Sequence, residues 1–129
     1  YKNKVGRYSI PIIYFMGDSS LKGNNTTITQ QLDIMPTILD LLGYNKEFFS
    51  FGKSIFSDDS WAIIYLNNEY LLIHEDGFLI GREEKYTNFS NKNMNRKTKV
   101  NKDKIELLKA IKQKYNNSLI DNKMNIYEN

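Results

Sequence analysis

The stretch QLDIMPTILDLLGY, residues 31–44, carries the clearest structural signal in the chain. It predicts a helix: Asp33 is a residue type that caps helix N-termini, Pro36 falls in the first turn, and Gly43 stands where a helix ends. The apolar residues of the stretch crowd nearly all sides of such a helix. We therefore expect a helix that is buried on more than one side, as in a sheet covered by helices.

A short apolar run, IPIIYF, lies upstream of this helix at residues 10–15. It is rich in β-branched residues, and continuous apolar runs of this length are typical of strands buried on both faces of a parallel or mixed sheet. Pro11 suits the start of such a strand, or a position where the neighbouring strand is absent. A turn-rich loop, residues 17–25, then leads towards the helix. The order of strand, loop and buried helix predicts the edge of an α/β domain.

Downstream of the helix, the sequence changes to short apolar segments with turn residues between them. An aromatic connector over residues 45–56 precedes three strand-like segments, WAIIYL, EYLLIH and FLIGRE. Asn67-Asn68 and Asp76-Gly77 separate these segments, and such residues tolerate the positive φ angles of hairpin turns. We predict a three-stranded antiparallel meander from Trp61 to about Lys85.

The last third of the chain is predicted to be a basic loop followed by an amphipathic helix. Residues 86–102 are polar and basic, and Asp103 is the predicted cap of a helix that runs to about Asn122. We divide the chain into residues 1–56, the C-terminal edge of an α/β domain, and residues 57–129, a small antiparallel sheet with a C-terminal helix. Spacings of three and four place one apolar stripe on that helix, made of Ile105, Leu108, Ile111, Tyr115 and Leu119.

The composition indicates a folded globular chain. Its 129 residues are one domain's worth of chain or a piece of a larger one, and 40% of them are hydrophobic. The net charge of +3 argues only weakly for an anionic partner. Cysteine is absent, which excludes disulfides, thiolate zinc sites and cysteine nucleophiles within this sequence. The sequence begins at Tyr1 with no apolar leader, and we therefore expect an excised fragment of a longer protein.

Few residues carry catalytic chemistry of their own. His74 is the only histidine, which excludes a histidine-based triad or a histidine-rich metal site in this sequence; it is either an ordinary strand-end residue or a functional one. Asp58 and Asp59 are adjacent carboxylates that point apart in most structures, so a solvated connector is the favoured interpretation. There is no nucleophile elbow, phosphate-binding loop or dinucleotide fingerprint. We predict no catalytic residue and no metal ligand within these residues.

A basic run, NKNMNRKTKVNKDK, occupies residues 91–104. Such a run can attract phosphate groups electrostatically. Aromatic residues are not interleaved in it for base stacking, so nucleic acid is not the favoured partner. The run is interpreted as a solvated loop, with a contact to anionic lipid, anionic polymer or nucleic acid as the functional alternative. Its cations are Lys92, Arg96, Lys97, Lys99, Lys102 and Lys104.

Three segments together resemble a known family. The sequence GRYSIPIIYF, then TQQLDIMPTILDLLGY, then FFSFGKSIF is similar to the C-terminal part of a sulfatase-type catalytic domain of the alkaline phosphatase superfamily. Within that superfamily the chain most resembles the bacterial phosphoglycerol transferases related to lipoteichoic acid synthase. The resemblance spans Gly6 to Met124, and its most specific part is D-I-x-P-T-I-L-D-L-L-G followed by GKS.

The resemblance implies that the parent protein is a membrane-anchored enzyme acting on phosphate or sulfate esters outside the cytoplasm. Such enzymes use a Thr, or a modified Cys or Ser, as nucleophile, and a divalent metal such as Mn, Mg, Ca or Zn held by Asp, Glu and His. No position of this chain matches the nucleophile or the metal ligands. The resemblance therefore implies that this fragment is inactive and that the active site lies upstream. Arg7 is the one candidate substrate contact, and an ordinary surface arginine is the alternative.

The expected partner is the remainder of the catalytic domain. Without the strands that would flank residues 10–15, one strand edge and one face of the helix at residues 31–44 are exposed, so self-association of the excised chain is also expected. A second hypothesis, of a different class, is a non-catalytic binding module. It would use the basic loop, residues 92–104, to contact anionic polymer or nucleic acid.

Overall fold

The structure is a computed structural model that describes residues 5–122 and residue 124. It is a mixed α/β structure with a five-stranded antiparallel sheet, a short helix before the sheet and a longer helix after it, which confirms the predicted α/β class. The helices are α1 (Ile34–Leu41) and α2 (Lys102–Ile120). The strands are β1 (Trp61–Leu66), β2 (Glu69–His74), β3 (Gly77–Arg82), β4 (Lys85–Phe89) and β5 (Lys97–Thr98).

The predicted meander is confirmed, and each of its strands pairs with the next one along the chain. Asn67 and Asn68, which join β1 to β2, both have positive φ angles, 52° and 60°. In the next turn, Gly77 has a φ of 142°, and a Cβ atom at this position would collide with the carbonyl oxygen of Phe89. The backbone at these turns therefore needs residues that adopt positive φ angles, as the sequence predicts.

The sheet is larger than predicted, because part of the expected basic loop is strand. Residues 85–89 form β4 and pair with β3, and Lys97-Thr98 form the short edge strand β5. The turn before β4 uses Glu83 at a φ of 53°. The prediction of a loop over residues 86–102 was therefore wrong for these residues. The open edge of β3 supplies backbone hydrogen-bond partners for β4, and the composition of residues 85–89 does not indicate that edge.

The two faces of the sheet carry different clusters. On the face that α2 covers, which we call the helix face, Leu72 and Leu79 pack against Leu108 of α2, and all three are fully buried. On the opposite face, called the cleft face, Phe78 and Phe89 pack against Val5. Strand alternation separates the two sets, since neighbouring residues of a strand point to opposite faces.

Helix α2 begins two residues earlier than predicted. Its cap is Asn101 and not Asp103, because the side chain of Asn101 accepts a hydrogen bond of 2.9 Å from the Asp103 N–H. The predicted apolar stripe is buried at Leu108 and becomes half-exposed at Tyr115 and Leu119 near the other end. Tyr115 there meets the ring of Phe51 in the aromatic connector, with the ring centroids 5.1 Å apart.

Helix α1 is shorter than the predicted stretch and is buried on one side only. A 3-10 turn over Gln31–Asp33 precedes it. Gly43, at a φ of 66°, donates to the Asp40 carbonyl, and Tyr44 donates to the Leu39 carbonyl, as in a Schellman C-cap. The prediction that this helix is buried on more than one side was wrong, since Met35 and Ile38 of α1 are 46% and 42% exposed and Leu42 at its C-cap is 72% exposed.

Residues 10–15 are extended, but they are not the predicted buried strand. They form no strand pairing with any other residue in the described part of the chain. The side chains alternate, with Ile12 and Tyr14 partly buried and Ile13 and Phe15 each 86% exposed. The backbone thus has the conformation that the β-branched residues favour, but no neighbouring strand accepts its hydrogen bonds.

The division at residue 56 stays a prediction. Among the described residues, no helix combines the length and the apolar character needed to cross a membrane.

Candidate functional site

A buried ion pair joins the start of α1 to the connector that follows it. Asp33 has no exposed surface, and its Oδ2 lies 2.8 Å from Nζ of Lys53. The same carboxylate accepts hydrogen bonds from the backbone N–H groups of Gln30, at 3.0 Å, and Lys53, at 2.9 Å. A buried carboxylate needs this number of donors, because burial removes the water that would otherwise solvate its charge.

The ammonium group of Lys53 extends this anchor to the sheet. Its Nζ also donates to the Trp61 carbonyl at 3.0 Å and lies 4.9 Å from the centroid of the Trp61 ring. Thr37 adds a second link, because its hydroxyl donates to the Asp33 carbonyl and accepts from the Ile55 N–H. Every partner here is internal to the fold, so the pair positions α1 against β1 and leaves no free group for chemistry.

Sequence reasoning missed this ion pair. Asp33 was interpreted as a helix cap, and Lys53 only as part of the GKS signature. The one clue to their pairing was that both residues belong to the motif that carries the family resemblance. Asp33 does bond a backbone N–H three residues earlier, that of Gln30, as the third residue of a capping box. Its main partner, Lys53, lies 20 residues away in sequence.

An open cleft of about 1070 Å³ lies over the cleft face of the sheet. Its floor is apolar and is built from Ala62, Ile64, Ile73 and Phe78. The walls come from three parts of the chain: residues 7–10 with Ile12, residues 28–32, and the turns at residues 74–77 and 90–92, which bring Glu75, Asp76 and Lys92 to the cleft. This volume is slightly above the range of about 300–1,000 Å³ that is usual for small-molecule pockets.

The structure places Arg7 at this cleft together with one cation of the basic run. Arg7 lies in a 3-10 turn, Gly6–Tyr8, and Lys92 lies in the loop after β4; both side chains are exposed and both line the cleft. Neither of them forms an ion pair with a carboxylate of residues 5–122. Lys97 is paired in register with Phe89, so its Cβ is also on the cleft face.

Gln30 contributes the polar group on the other wall of the cleft. Its Oε1 accepts a hydrogen bond of 3.0 Å from the Ile63 N–H of β1. Its Nε2 is buried and has no hydrogen-bond partner within the described part of the chain. A buried amide donor without a partner is rare in proteins, because the unmade hydrogen bond costs about 1–3 kcal/mol.

His74 also lines the cleft, together with the carboxylates of Glu75 and Asp76, but most of its surface is covered by the sheet. It shares the helix face with Leu72 two residues earlier, and its ring is 3% exposed. Its Nε2 lies 3.3 Å from Oδ1 of Asn88, whose amide nitrogen donates to Thr98. Burial lowers the pKa of His74, Asn88 opposes that shift, and the charge of Lys104 adds to it. This arrangement is that of a neutral histidine bonded to Asn88 through Nε2, with a buried Nδ1 that has no hydrogen-bond partner among the described residues.

The remaining candidates are not brought together. Asp58 and Asp59 are exposed, as are Lys92, Arg96, Lys97, Lys99 and Lys102 of the basic run. Within residues 5–122 and 124, no three His, Asp or Glu side chains are placed to hold a metal ion. Comparisons with known proteins found no matching family model, no matching curated protein and no matching solved structure.

Proposed function

We propose that this chain is the C-terminal segment of a metal-dependent enzyme of the sulfatase type, most similar to the phosphoglycerol transferases, which acts on phosphate or sulfate esters outside the cytoplasm. In this proposal the nucleophile and the ligands of the divalent metal belong to the rest of that protein. The present chain supplies a sheet-edge segment, a packing helix and a C-terminal subdomain.

The observation that carries the proposal is the apolar surface left open on the N-terminal half. Ile13 and Phe15 stand out from an extended segment that has no strand partner in the described part of the chain. Met35 and Ile38 are exposed on α1, and Leu42 is exposed at its C-cap. A strand-like segment and a helix that both expose large apolar side chains are typical of elements whose covering surface lies in another part of the protein.

The ion pair supports the same proposal. The D-I-x-P-T and GKS motifs of the resemblance supply the two residues of the buried ion pair. The hydrogen bonds of Asp33 and Lys53 go to each other and to nearby backbone groups, so both charges are compensated within the fold. A motif that is used internally in this way is a packing motif and not a catalytic one. This supports placing the chemistry of the parent enzyme outside these 129 residues.

The test compares the 129-residue chain with the full-length product of its gene. Both are assayed with a phosphodiester and a sulfate ester in the presence of Mn²⁺, Mg²⁺, Ca²⁺ or Zn²⁺. We expect metal-dependent turnover by the longer protein only, and slower amide hydrogen exchange at residues 10–15 in that protein than in the shorter chain. Metal-dependent turnover by the 129-residue chain would overturn the proposal, as would equally fast exchange at residues 10–15 in both proteins.

A second candidate function, a binding module for an anionic polymer, is favoured by the uneven distribution of charge. Residues 85–114 contain ten Lys or Arg and two Asp or Glu, a formal charge of +8, whereas the whole chain carries +3. The aromatic residues of that part, Tyr86 and Phe89, are at least partly buried and offer no open platform for base stacking. Salt-sensitive binding of polyphosphate is expected from this candidate, and a flat titration at low salt would dispose of it.

A further inference from the structure

The two edges of the sheet differ in how they are protected from further strand pairing. The strand order places β1 at one edge and β5 at the other. Strand β5 has only two residues, and the side chains of Lys97 and Lys99 are exposed there. Short edge strands and edge lysines commonly prevent sheets from pairing edge to edge. Strand β1 has neither feature, because its six residues, WAIIYL, include no charged one. Protection of the β1 edge therefore has to come from another part of the chain.

The hairpin determines which backbone groups of β1 face outward. The two-residue turn at residues 67–68 makes Leu66 and Glu69 the hydrogen-bonded pair that closes it. Bonded and non-bonded pairs alternate along an antiparallel ladder. Alternate residues of β1 therefore direct their N–H and C=O groups away from β2, and these are Trp61, Ile63 and Tyr65.

Side chains of the N-terminal half bond two of these outward groups. The Oε1 of Gln30 accepts the Ile63 N–H at 3.0 Å, and the Nζ of Lys53 donates to the Trp61 carbonyl at 3.0 Å. Residues 28–30 form no backbone-to-backbone hydrogen bond with β1. The two side chains thus take the place of an acceptor and a donor of a neighbouring strand, although no sixth strand is formed.

The extended segment that carries Gln30 is itself held beside β1. The Ile28 N–H donates to the Oγ of Ser60 at 3.2 Å, and the Ile28 carbonyl accepts from the Nζ of Lys53 at 3.4 Å. We call residues 28–30 together with Lys53 the edge cover. A strand that approached β1 from this side would have to displace the edge cover before it could pair with the first half of β1.

We propose that the edge cover prevents β1 from pairing with β1 of a second copy of this chain. Two WAIIYL strands would meet without charge repulsion, since neither carries a charge. A strand would also bond this edge more completely than the edge cover does. Gln30 uses only its oxygen, and its buried Nε2 has no partner in the described part of the chain. The edge cover belongs to the present chain, and its role does not depend on the proposed function.

The test uses the 129-residue chain with Ile13→Ser and Phe15→Ser as the host, so that association through that exposed segment does not obscure the result. In this host, Gln30→Met removes the accepting oxygen and keeps a side chain of similar length. Amide hydrogen exchange at Ile63 should become roughly two- to tenfold faster, as expected for the loss of one hydrogen bond. Gln31→Met makes the same change at the next residue, which is exposed, and should leave exchange at Ile63 unchanged.

Sedimentation velocity then measures the protective role. The Gln30→Met chain should dimerise at concentrations at which the Gln31→Met chain stays monomeric. The Tyr65 amide should exchange more slowly as the concentration of the Gln30→Met chain rises, because a second β1 would bond its N–H. Ser60→Ala releases the Ile28 N–H and leaves Gln30 in place, and it should give the same changes to a smaller degree.

Three results would each overturn the proposal. The first is equal exchange at Ile63 in the Gln30→Met and Gln31→Met chains. The second is that the Gln30→Met and Ser60→Ala chains both stay monomeric at millimolar concentration. The third is a dimer without slower exchange at Tyr65, since its interface would then lie away from the β1 edge. Unchanged methyl signals of Leu72 and Leu79 in each variant check that the sheet is intact.

Discussion

The two halves of the molecule are stabilised by different means. From Trp61 to Ile120, each strand pairs with the next one and Leu108 closes a buried cluster over the sheet. Residues 5–60 contain no paired strand, and a buried ion pair holds their helix in position while large apolar side chains face solvent. A few polar contacts can therefore fix where a short segment lies, but burial of an apolar face requires a second surface to cover it.

The largest expected effect comes from breaking the anchor of the N-terminal half. Lys53→Met leaves the Asp33 carboxylate buried without its cation, and we expect a loss of about 3–5 kcal/mol in the free energy of unfolding, measured by urea denaturation. Glu69→Gln is the control, because it breaks an exposed pair with Arg82 at 4.0 Å, which is worth about 0–1 kcal/mol. A loss from Lys53→Met no larger than that control would show that the anchor is not the main constraint in this half.

The next effect tests the core of the C-terminal half. Leu108→Ala removes the side chain that joins α2 to the sheet, and it should cost about 2–5 kcal/mol in unfolding free energy. Leu119→Ala makes the same chemical change on the same helix at a half-exposed position and should cost much less. Equal losses in thermal and chemical denaturation would mean that α2 does not derive its stability from the sheet.

A smaller effect distinguishes the observed helix cap from the predicted one. Asn101→Ala removes the side chain that accepts the Asp103 N–H, and should cost about 1 kcal/mol. Asp103→Ala removes only a favourable charge in the first turn, worth about 0.3–1 kcal/mol. Circular dichroism during denaturation measures both, and a larger loss from Asp103→Ala would restore Asp103 as the cap.

The pH dependence of stability tests whether His74 is buried in its neutral form. Burial lowers its pKa below that of an unfolded histidine, so the unfolded chain binds more protons as pH falls through the unfolded value of about 6.5. We expect the contribution of His74 to be complete above that pH and to decline below it, down to the lowered pKa of the folded state. His74→Gln keeps a donor for Asn88 and should flatten the melting temperature between pH 5 and 7; an unchanged slope would contradict this assignment.

The smallest expected effect on stability is at the exposed segment. Ile13→Ser with Phe15→Ser should leave the unfolding free energy nearly unchanged, because both side chains are 86% exposed. The same change should reduce the self-association that we expect of this chain, measured by sedimentation velocity over a range of concentrations. A wild-type chain that stays monomeric throughout that range would contradict the expectation.

Much of the C-terminal half could be predicted because its signals are local. The short apolar runs WAIIYL and EYLLIH, with Asn67-Asn68 between them, specify a hairpin from contiguous residues. The Lys85–Phe89 strand was missed because its own residues are polar and it forms along an edge that β3 provides. The candidate site was only half visible: Arg7 was singled out from the resemblance, whereas its association with Lys92 and Gln30 arises from the fold.

By itself, the sequence determined the residues that turn the chain, the apolar runs that form β1 to β3, the C-cap at Gly43 and the apolar stripe of α2, because these features depend on neighbours only a few residues apart. The tertiary structure decided the partner of Asp33, the strand at residues 85–89 and the exposure of α1 and of residues 10–15. These depend on which distant surface is present to pair with or cover a segment. The physical reason is that the backbone conformation of a segment follows mainly from its own residues. Burial and strand pairing also require another segment to cover it or to accept its hydrogen bonds.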